Sequence, residues 1–305
     1  MLQQTTVKVV VPYFERFMRR FPTVADLARA PIDDVLAAWS GLGYYRRARN
    51  LHAAARRVAV EHGGRVPDDR EALLALPGIG HYTAGAILSL AFARREPLVD
   101  GNVTRVLARL AGERRDPRRG DAARRLLETA RGLVASAAHP GDLNEALMEL
   151  GALVCTPVDP GCDRCPVAAP CAARAAGTAE RIPPPRRQRS PVAVRRTVAI
   201  VERGGRFLVR RRGGTGLLDG LWELPEVERD GSGGHRLEGG PSITGIVPAG
   251  TFRHSITWRR LAVRVVRARL MKPAPRRGHR WVTPAEARRL PASSLLAKGL
   301  DAAGV

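Results

Sequence analysis

The chain has 305 residues, 44% of them hydrophobic, with 51 Lys and Arg against 29 Asp and Glu, a net charge of +22 and a pI near 11.4. That length and apolar content bury a substantial core in two domains and exclude a disordered tail protein, while the charge calls for a polyanionic partner, because each neutralised phosphate releases counterions. A ribosomal protein would share the charge, but here the basic residues are spread through periodic segments instead of being gathered in tails.

In chain order, an amphipathic helix follows Met1–Thr6, with Phe14, Phe17 and Met18 on one face and Pro12 near its start. Short helices are predicted over Asp26–Ala30 and Asp33–Trp39, and a long one over Tyr45–His62, closed by Gly63 and Gly64. Asp69–Leu76 is the first arm of a helical hairpin whose turn is Pro77, Gly78 and Gly80; a second helix starts near His81. The unpaired N–H groups and positive dipole at such a helix start suit a phosphate. Asp100, with Gly101 and Asn102, sits at the mouth of a helix over Val103–Leu110. Further helices are predicted over Asp121–Ala135 and Asp142–Val154.

All four cysteines follow in one short segment as C-x6-C-x2-C-x5-C: Cys155, Cys162, Cys165 and Cys171. Thiolates this close need a metal partner, and zinc is one occupant, although zinc usually shows two separated C-x2-C knuckles. No cysteine is left for a scattered disulfide framework, no run of about eighteen apolar residues exists, and the N-terminus has no basic-then-apolar signal pattern. The sequence therefore predicts a monomer of the cytoplasm, associated with the nucleoid and without a membrane partner.

After Cys171 the composition shifts. Residues 172–195, with Pro183–Pro185 and clustered arginines, read as an extended Pro/Arg-rich linker open to a replication clamp, a repair protein or DNA. Beyond it, Arg196–Glu202 and Arg206–Arg211 read as strands paired across Gly204–Gly205, Leu261–Arg269 as another strand, and Pro284–Leu290 as a short helix. The expected organisation is a helical core over 1–171, the linker, and a small α+β domain over 196–305.

The turn L-P-G-I-G at 76–80, followed by Val99-Asp100, resembles the helix-hairpin-helix DNA glycosylases of the endonuclease III type, and the cysteine spacing resembles their [4Fe-4S] loop, which takes four cysteine ligands. Bifunctional members place a Schiff-base lysine two residues after the last hairpin glycine; here that residue is Tyr82, and no lysine lies between Lys8 and Lys272. An imine with the sugar needs such an amine, so a β-lyase is not expected. The stretches MLQQT, WSGLGYYRRARNLH, LPGIGHYTAGAI, VDGNVTRVL, NEALMELGALVC and GLLDGLWELP resemble the MutY-type adenine DNA glycosylases, which remove adenine mispaired with 8-oxoguanine.

That resemblance implies a mainly α glycosylase core with a [4Fe-4S] cluster on Cys155, Cys162, Cys165 and Cys171, followed by a Nudix-like domain that checks the opposite base. It implies Asp100 as the residue stabilising the sugar cation, and an adenine pocket of Tyr82, Asn102 and Glu145. Gln4, Leu42 and Tyr44 would wedge into the duplex, with Gly78, Gly80 and Thr83 also on the DNA. His254 and Ser255, in Phe252-Arg253-His254-Ser255, fall where the family carries a Phe-Ser-His-like recognition loop, with the serine displaced. The partner is double-stranded DNA with an 8-oxoguanine:A or G:A mispair. The Mg²⁺-binding Nudix helix is missing, so no nucleotide hydrolysis is expected. The family's general-acid glutamate falls two residues before Met1, so the expectation is a start assigned at an internal methionine; the alternatives are a lesion-binding protein without catalysis, or a pyrimidine glycosylase with lyase activity.

Overall fold

The computed structural model describes residues 1–185, 190–214, 218–229, 231, 233–271 and 278–305. Its helices are α1 (Val7–Arg20), α2 (Val24–Arg29), α3 (Ile32–Trp39), α4 (Arg46–Glu61), α5 (Arg70–Ala75), α6 (His81–Ala86), α7 (Gly101–Leu110), α8 (Gly120–Ser136), α9 (Pro140–Glu149) and α10 (Ala172–Ala175). Strands β1 (Val192–Arg203), β2 (Arg206–Arg211), β3 (Trp222–Glu223), β4 (Val227–Arg229), β5 (His235–Leu237), β6 (Ser242–Ile256), β7 (Arg259–Leu270) and β8 (His279–Val282) follow, then α11 (Pro284–Ala287) and α12 (Ser294–Ala302). Among the described residues no helix is long and apolar enough to cross a membrane. The chain divides into two compact units, residues 1–56 with 189–305, and residues 57–188.

In the first unit α1 to α3 close on a core of Phe17, Phe21, Val35, Leu36 and Trp39, with Phe17 edge-on to both Phe21 and Trp39 at centroid distances of 4.9 and 5.9 Å. Thr23 and Asp26 form a capping box that starts α2. Of the three residues expected on the buried face of α1, only Phe17 is buried; Phe14 and Met18 are 53% and 40% exposed. The buried stripe is narrower than the apolar one and runs through Val10 and Phe17. Pro12 sits in the second turn, and the helix continues through it.

The strands form a mixed sheet in the order β3-β2-β1-β7-β6-β5-β4, with β8 on β2. β1 and β7 run parallel, and the other strand pairs are antiparallel. Gly204 and Gly205 both take positive φ, +56° and +68°, which a two-residue hairpin between β1 and β2 requires. One sheet face packs Val198, Ile200, Val263 and Val265 against Leu295, Leu296 and Leu300 of α12. Ser40 Oγ and the Tyr45 hydroxyl both donate to the Ala292 carbonyl at 2.8 Å, fastening the α3–α4 turn to the segment before α12.

In the second unit Leu98, Val103, Val106 and Leu107 meet Leu126, Ala130 and Leu147, so α7 packs between α8 and α9. Both α6 and α9 end in a π-helical turn, Ile87–Ala91 and Leu150–Val154, where continuous helix was expected. The segment 172–195, expected to be extended, begins instead with α10 and a 3₁₀ turn at Ala179–Arg181, and Ala173 and Ile182 are buried. Its residues 186–189 lie outside the described residues, as do Gly216 and Leu217 of the GLLDGLWELP stretch; β1 begins at Val192.

Candidate functional site

The hairpin is built in the second unit. Asp69 caps α5 by accepting from the Ala72 N–H at 2.7 Å, Leu73 and Leu76 bury its apolar side, and Gly78 turns the chain at φ +80°. Gly80 is the N-cap of α6, no side chain caps that helix, and a Cβ at Gly80 would meet nothing within 4 Å. The hairpin backbone is therefore open to close approach by a ligand. Behind it, a Cβ at Gly85 would lie 2.4 Å from the Pro97 carbonyl, so only glycine lets α6 pack against the chain that leads to Asp100.

That chain is pinned by Asn144, which is fully buried on α9. Its Nδ2 donates to the Glu96 carbonyl at 2.9 Å, and its Oδ1 accepts from the Leu98 N–H at 3.2 Å. Two residues on, Asp100 caps α7, with Oδ1 accepting from the Val103 N–H at 2.7 Å and Oδ2 from Asn102 Nδ2 at 3.2 Å. Tyr82, 39% exposed, points its hydroxyl at the Met148 sulfur, 3.8 Å away, one turn beyond the exposed Glu145 on α9. Burial first, and the Asp100 carboxylate second, raise the Tyr82 phenol above its ordinary pKa, so it stays a neutral donor beside that carboxylate. Thr83 lies half-buried in the first turn of α6.

From Asp100, α7 runs toward the cysteine loop. Arg105 Nη2 donates to Asn102 Oδ1 at 2.9 Å and to the Gly151 carbonyl at 2.5 Å, while its Nε donates to the Cys155 carbonyl at 2.7 Å. Arg109, 2% exposed one turn later, donates through Nη1 to Cys155 Sγ at 3.2 Å and to the Thr156 carbonyl at 2.7 Å. Cys155, Cys162, Cys165 and Cys171 line one cavity with Arg109. Burial first, then the three other cysteines, push the Cys162 thiol above its ordinary pKa, so the set of four favours a positively charged occupant once ionised. Arg164 is exposed, and its Nη2 is already held by the Leu153 carbonyl at 2.8 Å.

The first unit holds the rest of the DNA-facing set. Gln4 and Tyr44 are exposed and take left-handed backbone, φ +61° and +49°, a strained choice for residues other than glycine. Arg47 organises both segments: it donates to the Met1 and Gln3 carbonyls, to Thr5 Oγ1 at 3.1 Å and to the Gly43 carbonyl at 3.3 Å, and its guanidinium lies 5.2 Å from the Tyr44 ring centroid. Leu42, expected as a wedge, is 6% exposed and packs in the core with Trp39 and Tyr45; entering a duplex requires it to leave that core. A cavity of about 1120 Å³ is lined by Leu42, Tyr44, Asn50, His254 and Ser255, among others; Gln4 is not among its lining residues.

His254 and Ser255, expected in a loop, lie instead in β6, where they pair with Leu261 and Arg260 of β7. Lys298 Nζ on α12 lies 3.3 Å from His254 Nδ1, and Ser294 Oγ lies 3.4 Å from its Nε2. Burial, then the Lys298 ammonium, lower the His254 pKa, which leaves a neutral ring near pH 7. Arg47, Arg105, Arg109 and Asn144 were not singled out from the sequence. In a chain this rich in arginine, nothing distinguishes a buried arginine from a surface one, and Asn144 is signalled only by its place on the apolar stripe of α9.

A hairpin with an open glycine turn, an aspartate capping the next helix, and four cysteines beyond it define a base-excision fold. The family of the "HhH-GPD superfamily base excision DNA repair protein" matches residues 1–132, and a NUDIX domain family matches residues 196–302. The chain belongs to the HhH-GPD superfamily of base excision DNA repair proteins. More particularly, it is similar to adenine DNA glycosylases. That of Rattus norvegicus is 39% identical over 280 residues, covering 77% of this chain and 54% of the rat protein. That of Homo sapiens is 38% identical over 275 residues, covering 74% and 50%. The chain thus spans about half the length of the curated relatives it matches. Among solved structures, a thermostable thymine-DNA glycosylase aligns with a TM-score of 0.51 at 30% identity, over 57% of this chain and 80% of that one.

Proposed function

We propose that the chain is a monofunctional DNA glycosylase that removes adenine from duplex DNA where it faces 8-oxoguanine or guanine. The observation that carries this reading is the pairing of Asp100 with Tyr82 at the hairpin. An N-glycosidic bond is out of reach within the stack, so the adenine must be extruded into a pocket. As the base departs, positive charge grows on the sugar, and a fixed carboxylate stabilises it, as in glycosidases. Asp100, oriented by Val103 N–H and Asn102, supplies that carboxylate, and water then completes an abasic site. Tyr82, Asn102 and Glu145 are assigned to the adenine, and the open turn at Gly78 and Gly80, with Thr83, to a phosphate. With tyrosine at position 82 there is no amine to form an imine, so the strand stays intact. Tyr44, His254 and Ser255, around one cavity of the first unit, are assigned to the opposite base, with Gln4 and Leu42 at the duplex.

The cysteine site suits a [4Fe-4S] cluster better than one zinc ion. All four cysteines line a single cavity, yet among the described residues no three His, Cys, Asp or Glu converge closely enough to hold one metal ion. Cys155, Cys162, Cys165 and Cys171 would hold the cluster, which when bound cross-links the loop and does no hydrolytic chemistry. Iron and acid-labile sulfide analysis of anaerobically purified protein tests this, and stoichiometric zinc without iron overturns it.

The activity is tested by single-turnover release of adenine from an 8-oxoguanine:A duplex, by this chain and by a form extended upstream through the in-frame coding sequence. Adenine release, with strand cleavage only after alkali, supports the reading. Strand nicking without alkali sinks it in favour of a lyase, and mispair binding without adenine release from either form sinks it in favour of a binder.

A further inference from the structure

The three long strands of the sheet, β1, β7 and β6, carry a single carboxylate between them, Glu202, near the Arg203 end of β1. One of their faces fills the core against α12. On the other face, toward the Val192 end of β1, stand Arg195, Arg253, Arg260 and Arg264, all exposed. The register fixes their arrangement. Ala262 on β7 pairs with Arg195 on one side and with Arg253 on the other, and Arg260 and Arg264 lie two residues before and after it on the same strand. Strand spacing puts the first two about 10 Å apart, and strand rise puts the second two about 13 Å apart.

None of the four guanidinium groups has an ion pair or hydrogen-bonded partner among the described residues. Nearby arginines differ. Arg196, on the opposite face, meets Glu226, and Arg267, farther along β7, meets Glu202 at 2.8 Å. Like charges on adjacent strands disfavour a sheet, and at these separations salt screens the repulsion only partly. The positions between the arginines are Ala193, Thr197, Thr251, Ser255 and Ala262, so the ground is low and carries hydroxyl donors. No aromatic or large aliphatic side chain stands among them to anchor a protein partner.

We propose that this sheet face is a second DNA-contacting surface, a platform for the phosphate backbone of duplex DNA on either side of the lesion, which reads charge and not sequence. Four guanidinium groups over small residues match a row of phosphates, each able to take a bidentate contact. Ser255 lies on this face and His254 on the reverse, so β6 joins the platform to the cavity assigned to the opposite base. The inference rests on duplex DNA being the substrate.

The experiment measures binding of the full chain to an undamaged duplex by fluorescence anisotropy, between about 50 and about 200 mM salt. Replacing Arg260 and Arg264 together by Ser lowers the slope of log affinity against log salt by about 2, and replacing all four lowers it by about 3 to 4. Arg236→Ser removes the same charge from β5, where Arg236 is paired with Glu228, and leaves the slope within about 0.5 of the parent's. Single Arg195→Gln and Arg253→Gln variants, each expected to lower the slope by about 1, keep the test open if the combined variants fold poorly. Slopes equal to the parent's, or a fall no larger than that of Arg236→Ser, overturn the platform, including in favour of an acidic protein as its occupant. If adenine is released while the slopes stay unchanged, the platform alone fails; if the slopes fall and no adenine is released, the catalytic reading alone fails.

Discussion

Asn144 is the side chain whose removal should most cleanly separate the scaffold from the chemistry. It is fully buried, touches no substrate in the proposed mechanism, and makes two hydrogen bonds to the backbone that leads to Asp100. In Asn144→Ala the Leu98 N–H loses its acceptor in a buried site, at about 1–3 kcal/mol. The Glu96 carbonyl, in a half-buried residue, recovers a water and loses about 0.5–1 kcal/mol. Their sum, about 2–4 kcal/mol, is expected as the destabilisation in equilibrium urea unfolding followed by far-UV circular dichroism. Asn144→Asp keeps the acceptor for Leu98 but turns a carboxylate oxygen on the Glu96 carbonyl, and should be at least as damaging. In the folded fraction, single-turnover adenine release should fall by about 10-fold or more, because a displacement of about 1 Å at the reacting group costs up to about 100-fold. A loss below about 0.5 kcal/mol in both variants would falsify the view that this asparagine holds the Asp100 approach.

Asp100→Asn keeps a good N-cap, so stability should change by no more than about 0.5 kcal/mol while adenine release falls by about 10²–10⁴-fold; a near-parental rate removes Asp100 from the mechanism. Gly151→Ala places a Cβ 2.7 Å from Asn102 Cβ and 2.9 Å from its carbonyl oxygen, for about 1–3 kcal/mol of destabilisation. Gly132→Ala on α8, where a Cβ meets nothing within 4 Å, should be neutral or stabilising by up to about 1 kcal/mol, and equal melting temperatures for the two would refute the packing argument. Because His254 titrates below its unfolded value, the unfolded chain takes up its proton first as pH falls. Its contribution therefore lowers stability below about pH 6.5 and vanishes above it. Lys298→Met removes the nearby charge, so the His254 midpoint should rise in an NMR titration; an unmoved midpoint rejects the Lys298 contribution.

Much of the helical unit was legible because caps and glycines are local. Asp69, Gly78, Gly80 and Asp100 stand in the structure where turn and cap chemistry put them. The π-helical turns were not legible, since Ile87–Ala91 and Leu150–Val154 are apolar runs compatible with α-helix, and only their packing against neighbours selects the wider turn. In the sheet, β6 was hidden by Gly245, Pro248 and Gly250, which punctuate a sequence that nonetheless pairs along β7 with two register shifts. Helix α12 was missed although Ser293 caps it, because nine residues show little periodicity when both sheet and loops cover them. The site divided in the same way. Asp100 and the cysteines carry sequence signatures, whereas Arg47 and Arg105 act through carbonyls contributed by residues distant in sequence.

The wider turn at Leu150–Val154 also sets the phase of everything after it. A π-helical turn holds one residue more than the α-helical turn it replaces. Deleting Ala152 would regularise the helix, yet it would rotate the chain beyond it by about 100° and draw it back by about 1.5 Å. Cys155, whose N–H is held by the Leu150 carbonyl at 2.7 Å, would swing away from the other three cysteines. The length of that one turn thus decides whether all four thiols can share a cavity.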